Sequence, residues 1–198
     1  MMHRLIKHGM RSTFVVALWI AQTGYTAAHA SGVNVPAVVQ QSLNEAHLVG
    51  NGTLRWLGFR VYDARLFAGQ TFAIKDGWIK QPFALELTYS RSVTGKRITQ
   101  SSLDEMIRLK LGNDIKRALW LANMDSLFVD VKEGDRIIGV YRPGQATKFW
   151  LNDKPLGTVQ DADFGPAFFG IWLDEETKDK VLRTALLGGV PPKKSVAP

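Results

Sequence analysis

The side chains placed to do chemistry are few. In the stretch "NGTLRWLGFRVYDARLF", Asn51 to Phe67, Arg55 falls in step with Leu57, Phe59 and Val61. Read as one strand from Thr53 to Tyr62, this alternation sets a guanidinium on the same face as three apolar residues, with Trp56, Arg60 and Tyr62 on the other. A guanidinium stays charged and offers a planar fork of donors, so in a partly dry cleft it can hold a carboxylate or a phenolate through two hydrogen bonds. On a buried face it needs such a partner, because an unpaired buried charge costs several kcal/mol. The alternative is a solvated arginine near a strand end. Tyr62 and Tyr89 also sit on strand-like segments; their hydroxyls can orient a ligand head group or be satisfied inside a core. Arg55, Tyr62 and Tyr89 are therefore the candidate ligand-binding residues.

Other chemistries are excluded by what the chain lacks. It has no cysteine, hence no disulfide, thiol nucleophile or lipid-acceptor thiol. Three of its four histidines lie within the first thirty residues, leaving His47. A multi-histidine zinc site is thus excluded, and no "GxSxG" elbow accompanies His47. His47 itself reads as a solvated residue before the first strand. Asp104 and Glu105 read as charges near a helix N-terminus rather than as an acid/base pair. No catalytic residue, metal ligand or cofactor is assigned.

The chain as a whole carries 25 bases and 18 acids. Arg4, Lys7 and Arg11 open the sequence without any acid, "FVVALWIA" follows as an apolar run, and "AHA" ends at Ala30. That order matches a secretory signal peptide over residues 1–30. The run is too short to span a bilayer, which takes ~20 apolar residues. Without the leader, 22 bases face 18 acids, an excess too mild for a nucleic-acid-binding surface. The expected product is periplasmic, with no stable membrane span after cleavage.

The remaining segments position the candidates. Val35, Val38 and Val39 suggest an irregular or edge segment, punctuated by Gly50 and Gly52. "ARLFAG" continues or pairs with the Arg55 strand, and "PFALELTYS" places Phe83, Leu85, Leu87 and Tyr89 in phase. A helix follows, starting at Thr94 or Ser102 and stopped by Gly112. A second, capped by Asn113 or Asp114, shows an apolar stripe at Ile115, Leu119, Ala122 and Leu127. "DRIIGVYR", "TKFWLN" and "KPLGTVQ" are three short strands separated by "RPGQ" and "NDK" turns. Two helices close the domain, the first carrying Phe164, Phe168, Ile171 and Trp172, whose aromatics read as helix–sheet core. Strands and helices are segregated, which predicts an α+β domain with helices on one face of a mostly antiparallel sheet. The domain should cover residues 31–188, with 189–198 a disordered Pro-rich tail.

The motifs "GNGTLRWLGFRVYDARLF", "FALELTYSRSVTGKRI", "VKEGDRIIGVYRPG", "FWLNDKPLGTV" and "DFGPAFFGIWLDEETKDKVLRTALLG" resemble, in order, the bacterial chalcone isomerase-like family. These are relatives of plant chalcone isomerases and of their fatty-acid-binding cousins. The resemblance implies an open-faced β-sandwich with a ligand cleft between sheet and helices. It also implies an arginine two positions after a "GxG", which supports cyclisation in the enzymes and pairs with a carboxylate in the binders. Here that position holds Leu54, and Arg55 comes one residue later. Because a one-residue shift reverses the face of a strand, either a bulge near Gly52 returns Arg55 to the cleft or the arginine is lost. Three functions remain open. One is a non-catalytic carrier of a small apolar or amphipathic carboxylic acid, possibly a fatty acid. A second is an isomerase or intramolecular lyase. The third is a domain with a closed cleft that acts through a protein partner. The leader makes its own prediction: N-terminal sequencing of the exported protein should begin at Ser31, whereas a start at Met1 or Met2 would refute export by cleavage.

Overall fold

The computed structural model describes residues 34–190. The expected leader lies outside them, as does the expected tail beyond Val190. Six strands form one antiparallel sheet in sequence order: β1 (His47–Trp56), β2 (Phe59–Ala68), β3 (Phe83–Tyr89), β4 (Arg136–Tyr141), β5 (Thr147–Leu151) and β6 (Lys154–Val159). Five helices accompany them: α1 (Ala37–Ser42), α2 (Gly95–Arg108), α3 (Asp114–Leu127), α4 (Phe164–Leu173) and α5 (Lys180–Leu186). The domain is α+β, as its segregated strands and helices predict. Phe83, Leu85, Leu87 and Tyr89 share the face that packs on α2–α5, joined by Ala64, Leu66, Ile137 and Phe149 of neighbouring strands. α4 fills this core with Phe164, Phe168 and Phe169, each in edge-on or stacked contact with other rings.

Helix starts follow their capping residues. The Thr94 hydroxyl accepts from the Arg97 amide at 3.2 Å, so Thr94 rather than Ser102 opens α2. Asn113 accepts from the Lys116 amide at 2.9 Å and Asp179 from that of Leu182 at 2.8 Å. Each cap satisfies one of the orphan donors of a first turn.

Three elements differ from the sequence reading. Thr53–Tyr62 is not one strand: the chain reverses at Leu57 and Gly58, whose φ values are 49° and 83°. Positive φ at both central residues is the two-residue hairpin turn whose twist matches the flanking strands. Leucine at such a position costs roughly 1–2 kcal/mol relative to a relaxed residue, and "WLGF" lacks the Asn-Gly signal that would announce the turn. Second, Val35–Ser42 is not irregular. It forms α1, a short helix on the reverse face of the sheet, where Val38, Val39 and Leu43 pack with Phe67, Ala84, Ile138 and Val140. Third, the Ile115–Leu119 stripe of α3 faces solvent, with Ile115 75% exposed. The helix buries Trp120, Met124 and Leu127 instead. Two apolar stripes compete on this helix, and the one with the larger side chains goes inward, since buried apolar area decides.

The reverse face also holds a buried charge. Glu86 is fully buried on β3 and sits opposite Arg65 of β2, whose Nε donates to it at 2.7 Å. Arg136 of β4 approaches its other oxygen at 3.4 Å. The Arg65–Glu86 and Arg60–Asp63 pairs are those expected of the sheet's outer face, but α1 and its neighbours make the first of them an interior pair.

Gly50 and Gly52 serve a close approach. α5 crosses β1 so tightly that a Cβ on Gly50 would lie 2.0 Å from the Ala185 carbonyl oxygen. One on Gly52 would meet the end of the Leu182 side chain at 2.7 Å. Glycine in a strand commonly marks such a contact. Gly50→Ala should therefore push α5 off the sheet and cost at least ~2 kcal/mol in urea unfolding. Gly52→Ala should cost less, because a flexible side-chain tip can yield where a backbone carbonyl cannot.

Candidate functional site

A cavity of about 840 Å³ lies between the β1–β3 side of the sheet and helices α2, α4 and α5. That is within the range of roughly 300–1,000 Å³ usual for small-molecule sites. Its floor is a row across three strands. Leu54 pairs with Tyr62, and Tyr62 with Tyr89; all three line the cavity, with Leu87 beside them. Its roof is Ile98 and Ser102 of α2, Phe168, Ile171 and Trp172 of α4, and Leu182 of α5.

The polar groups of the interior are nearly all engaged. The Trp172 indole N–H donates to the Tyr62 hydroxyl at 2.8 Å. Ser102 and Thr177 donate to the carbonyls of Ile98 and Ile171 at 2.9 and 2.6 Å. Tyr89, packed edge-on against Tyr62 with ring centroids 5.9 Å apart, is buried, and its hydroxyl has no hydrogen-bond partner among the described residues. Burial raises both phenol pKa values far above the ordinary tyrosine value. For Tyr62 the indole hydrogen bond opposes that rise, while the charges of Asp179 and Glu105 add to it; for Tyr89 the Tyr62 ring adds to it. Both hydroxyls are therefore neutral donors and acceptors throughout the neutral range.

The rim carries the charge. Its carboxylates already have partners: Glu105 accepts from Arg108 at 2.8 Å and pairs with Lys178. Asp104 accepts from Gln100 at 2.8 Å, and Asp179 caps α5. Asp104 and Glu105 thus belong to the C-terminal half of α2 and not to a helix N-terminus as first read. Arg91, just beyond β3, and Arg97, in the first turn of α2, also line the cavity. Among the described residues neither guanidinium makes an ion pair or a hydrogen bond. No cluster of metal-ligating side chains occurs among the described residues.

The structure brings Tyr62 and Tyr89 together at the cavity and leaves Arg55 out of it. Arg55 is exposed, and its Nη1 donates to the Gly58 carbonyl at 3.3 Å across the hairpin turn. The reason is local. The turn at Leu57–Gly58 ends the expected phase, and a bulge at Leu54/Arg55 pairs Leu54 with Tyr62 and Arg55 with Arg60. A bulge does occur, then, but it leaves Leu54 facing inward and Arg55 outward. His47 is exposed and does not line the cavity. Sequence reasoning missed Arg91 and Arg97. Arg91 is in strand phase with Tyr89, and Arg97 shares with Ser101 and Glu105 the helical spacing of one face, so both could have been read. Trp172, assigned to the core, is also cavity wall.

The fold and site thus define an open-faced antiparallel sheet with a ligand-sized, mainly apolar cavity under its helices. A sequence profile of the chalcone isomerase-like family matches residues 27–188, and the chain belongs to that family. An uncharacterized protein of Haemophilus influenzae is 32% identical over 140 residues, covering 71% of this chain and 67% of the relative. Among solved structures, a fatty-acid binding protein of Arabidopsis thaliana matches with a TM-score of 0.58 at 16% identity. That match spans 73% of this chain and 88% of the plant protein, and it shows a shared fold.

The buried phenols predict an alkaline limit on stability. Their pKa is higher folded than unfolded, so their contribution is whole below the unfolded value, about 10. It is lost progressively as pH climbs from there towards the folded values. Urea midpoints should fall between pH 9 and pH 11, and a Tyr62→Phe/Tyr89→Phe variant should show a shallower fall; equal slopes would contradict the assignment.

Proposed function

We propose that this protein is an exported, non-catalytic binding protein that holds a small apolar or amphipathic acid in the cavity between sheet and helices. A fatty acid is the form its chemistry favours. The observation that carries the reading is the division of the cavity: apolar walls inside, and at the rim two guanidiniums, Arg91 and Arg97, without partners among the described residues. An acyl chain gains ~0.8 kcal/mol per methylene removed from water, so the interior supplies affinity without polar contacts. A carboxylate at the rim would meet charge-assisted donors, and the Tyr89 hydroxyl is placed to donate to a ligand oxygen deeper in. Tyr62, engaged by Trp172, serves more as wall than as donor. The printed function of the Arabidopsis neighbour points the same way.

Intramolecular-lyase chemistry is less favoured. The position at which the resemblance expects arginine holds Leu54, and Arg55 lies on the outside of the hairpin. A cleft packed shut does not suit a cavity of about 840 Å³.

Native mass spectrometry of the mature protein, with extraction of any co-purified acyl chains, tests the reading. An Arg91→Ala/Arg97→Ala variant should bind palmitate at least ~10-fold more weakly, the loss expected for one hydrogen bond to a charged group. Its affinity for methyl palmitate should change little. Equal losses for acid and ester, or no binding of either by the unaltered protein, would refute the proposal.

A further inference from the structure

We propose that the tip of the β1–β2 hairpin docks on an anionic phospholipid surface. The apex "WLGF" carries three large apolar side chains in the open: Trp56 is 59% exposed, Leu57 76% and Phe59 68%. Nothing in the fold requires them there. Leu57 occupies a left-handed turn position, φ 49°, that asparagine or glycine would fill without strain. An observed outlier that the fold does not repay points to a role outside the fold.

The flanking charges select the occupant. From Asn51 to Tyr62 the hairpin has two bases, Arg55 and Arg60, and no acid. Asp63, the nearest acid behind the tip, is engaged by Arg60 and by the Thr53 hydroxyl. Arg55 has no ion pair among the described residues. Tryptophan and phenylalanine settle at the level of lipid head groups, and basic residues beside them are drawn to anionic lipids. A second copy of the chain is the poorer fit, since a self-complementary contact would set the arginines of two tips against each other.

The tip is continuous with the cavity. Trp56 belongs to both, and Val61 and Leu54 extend the apolar wall inward from it. An amphipathic molecule leaving a bilayer would pass along these side chains rather than through water.

Co-sedimentation of the ligand-free mature protein with vesicles tests the docking, whatever the cavity holds. Vesicles containing phosphatidylglycerol should pellet it, vesicles of phosphatidylcholine alone should pellet far less, and high salt should release it. Leu57→Asn/Phe59→Thr should lower the partition coefficient at least ~10-fold, from the lost insertion of two apolar side chains. Arg55→Glu should lower it about fivefold or more. Leu57→Asn alone relaxes the turn, so its urea midpoint should not fall, which separates lost docking from lost folding. Equal pelleting of the unaltered protein and the double variant would overturn the proposal, as would pelleting of neither. So would a lipid-free dimer, seen by native mass spectrometry, that the double variant abolishes; the tip would then belong to a second copy.

Discussion

Which side chains the β1–β2 hairpin shows to the helices depends on the turn at Leu57–Gly58 and the bulge beside it. In a strand a shift of one residue exchanges the faces. With the turn at Leu57–Gly58 and the bulge at Leu54/Arg55, Leu54, Trp56 and Tyr62 line the cavity while Thr53, Arg55 and Asp63 do not. Everything on the helix side follows from that choice. Tyr62 meets Trp172, Leu54 completes an apolar floor, and the one charge on β1 near the cavity is turned away from it. A cavity floored by leucine and neutral phenols is suited to an apolar body and leaves head-group recognition to the rim.

The other face of the sheet follows a different rule. Glu86 is fully buried there, between Arg65 and Arg136 on the two adjacent strands. The Arg65 guanidinium also lies over the Phe67 ring, 5.1 Å from its centroid, so its charge is shared between a carboxylate and a π face. Such a network contributes little net stability over an apolar replacement, yet breaking it would strand a buried charge. Its effect is to pin the register of β2, β3 and β4, the strands whose opposite faces carry Leu66, Tyr89 and Ile137 into the main core. A slip of one residue would bury Arg65 among the helices and expose the leucines.

The cavity persists because the helices reach the sheet unevenly. α5 rests on β1 at Gly50, where backbone nearly touches backbone, and the aromatic body of α4 fills the space over β3 and β4. Between these contacts, α2 stands off the β1–β3 row, its inward side chains being Ile98 and the small Ser102. The same helix brings Arg97 to the rim, while the chain leaving β3 brings Arg91. The recognition groups are thus set by the two ends of one connection, from strand to helix.

Much of this was legible in the amino-acid order. Alternation in "FALELTY", the caps at Thr94 and Asn113, the turn residues of "RPGQ" and "NDK" and the order of the motifs determined the α+β class and the family. These signals are local, and local periods and caps survive whatever the rest of the chain does. The gap-free spacing after "GNG" even indicated that Leu54 stands at the arginine position. Tertiary structure alone decided the rest. "WLGF" turns without a turn signal, because pairing along two ten-residue strands outweighs the cost of leucine in a left-handed conformation. α3 buries Trp120 and Met124 rather than Ile115 and Leu119, because two stripes of similar period are separated only by what each finds to pack against. Val38 and Val39 became helical because the reverse face of the sheet offered Phe67 and Ile138 to cover. Arg55 points outward for the same kind of reason: its direction is a property of the register between two strands, which no single strand's sequence contains.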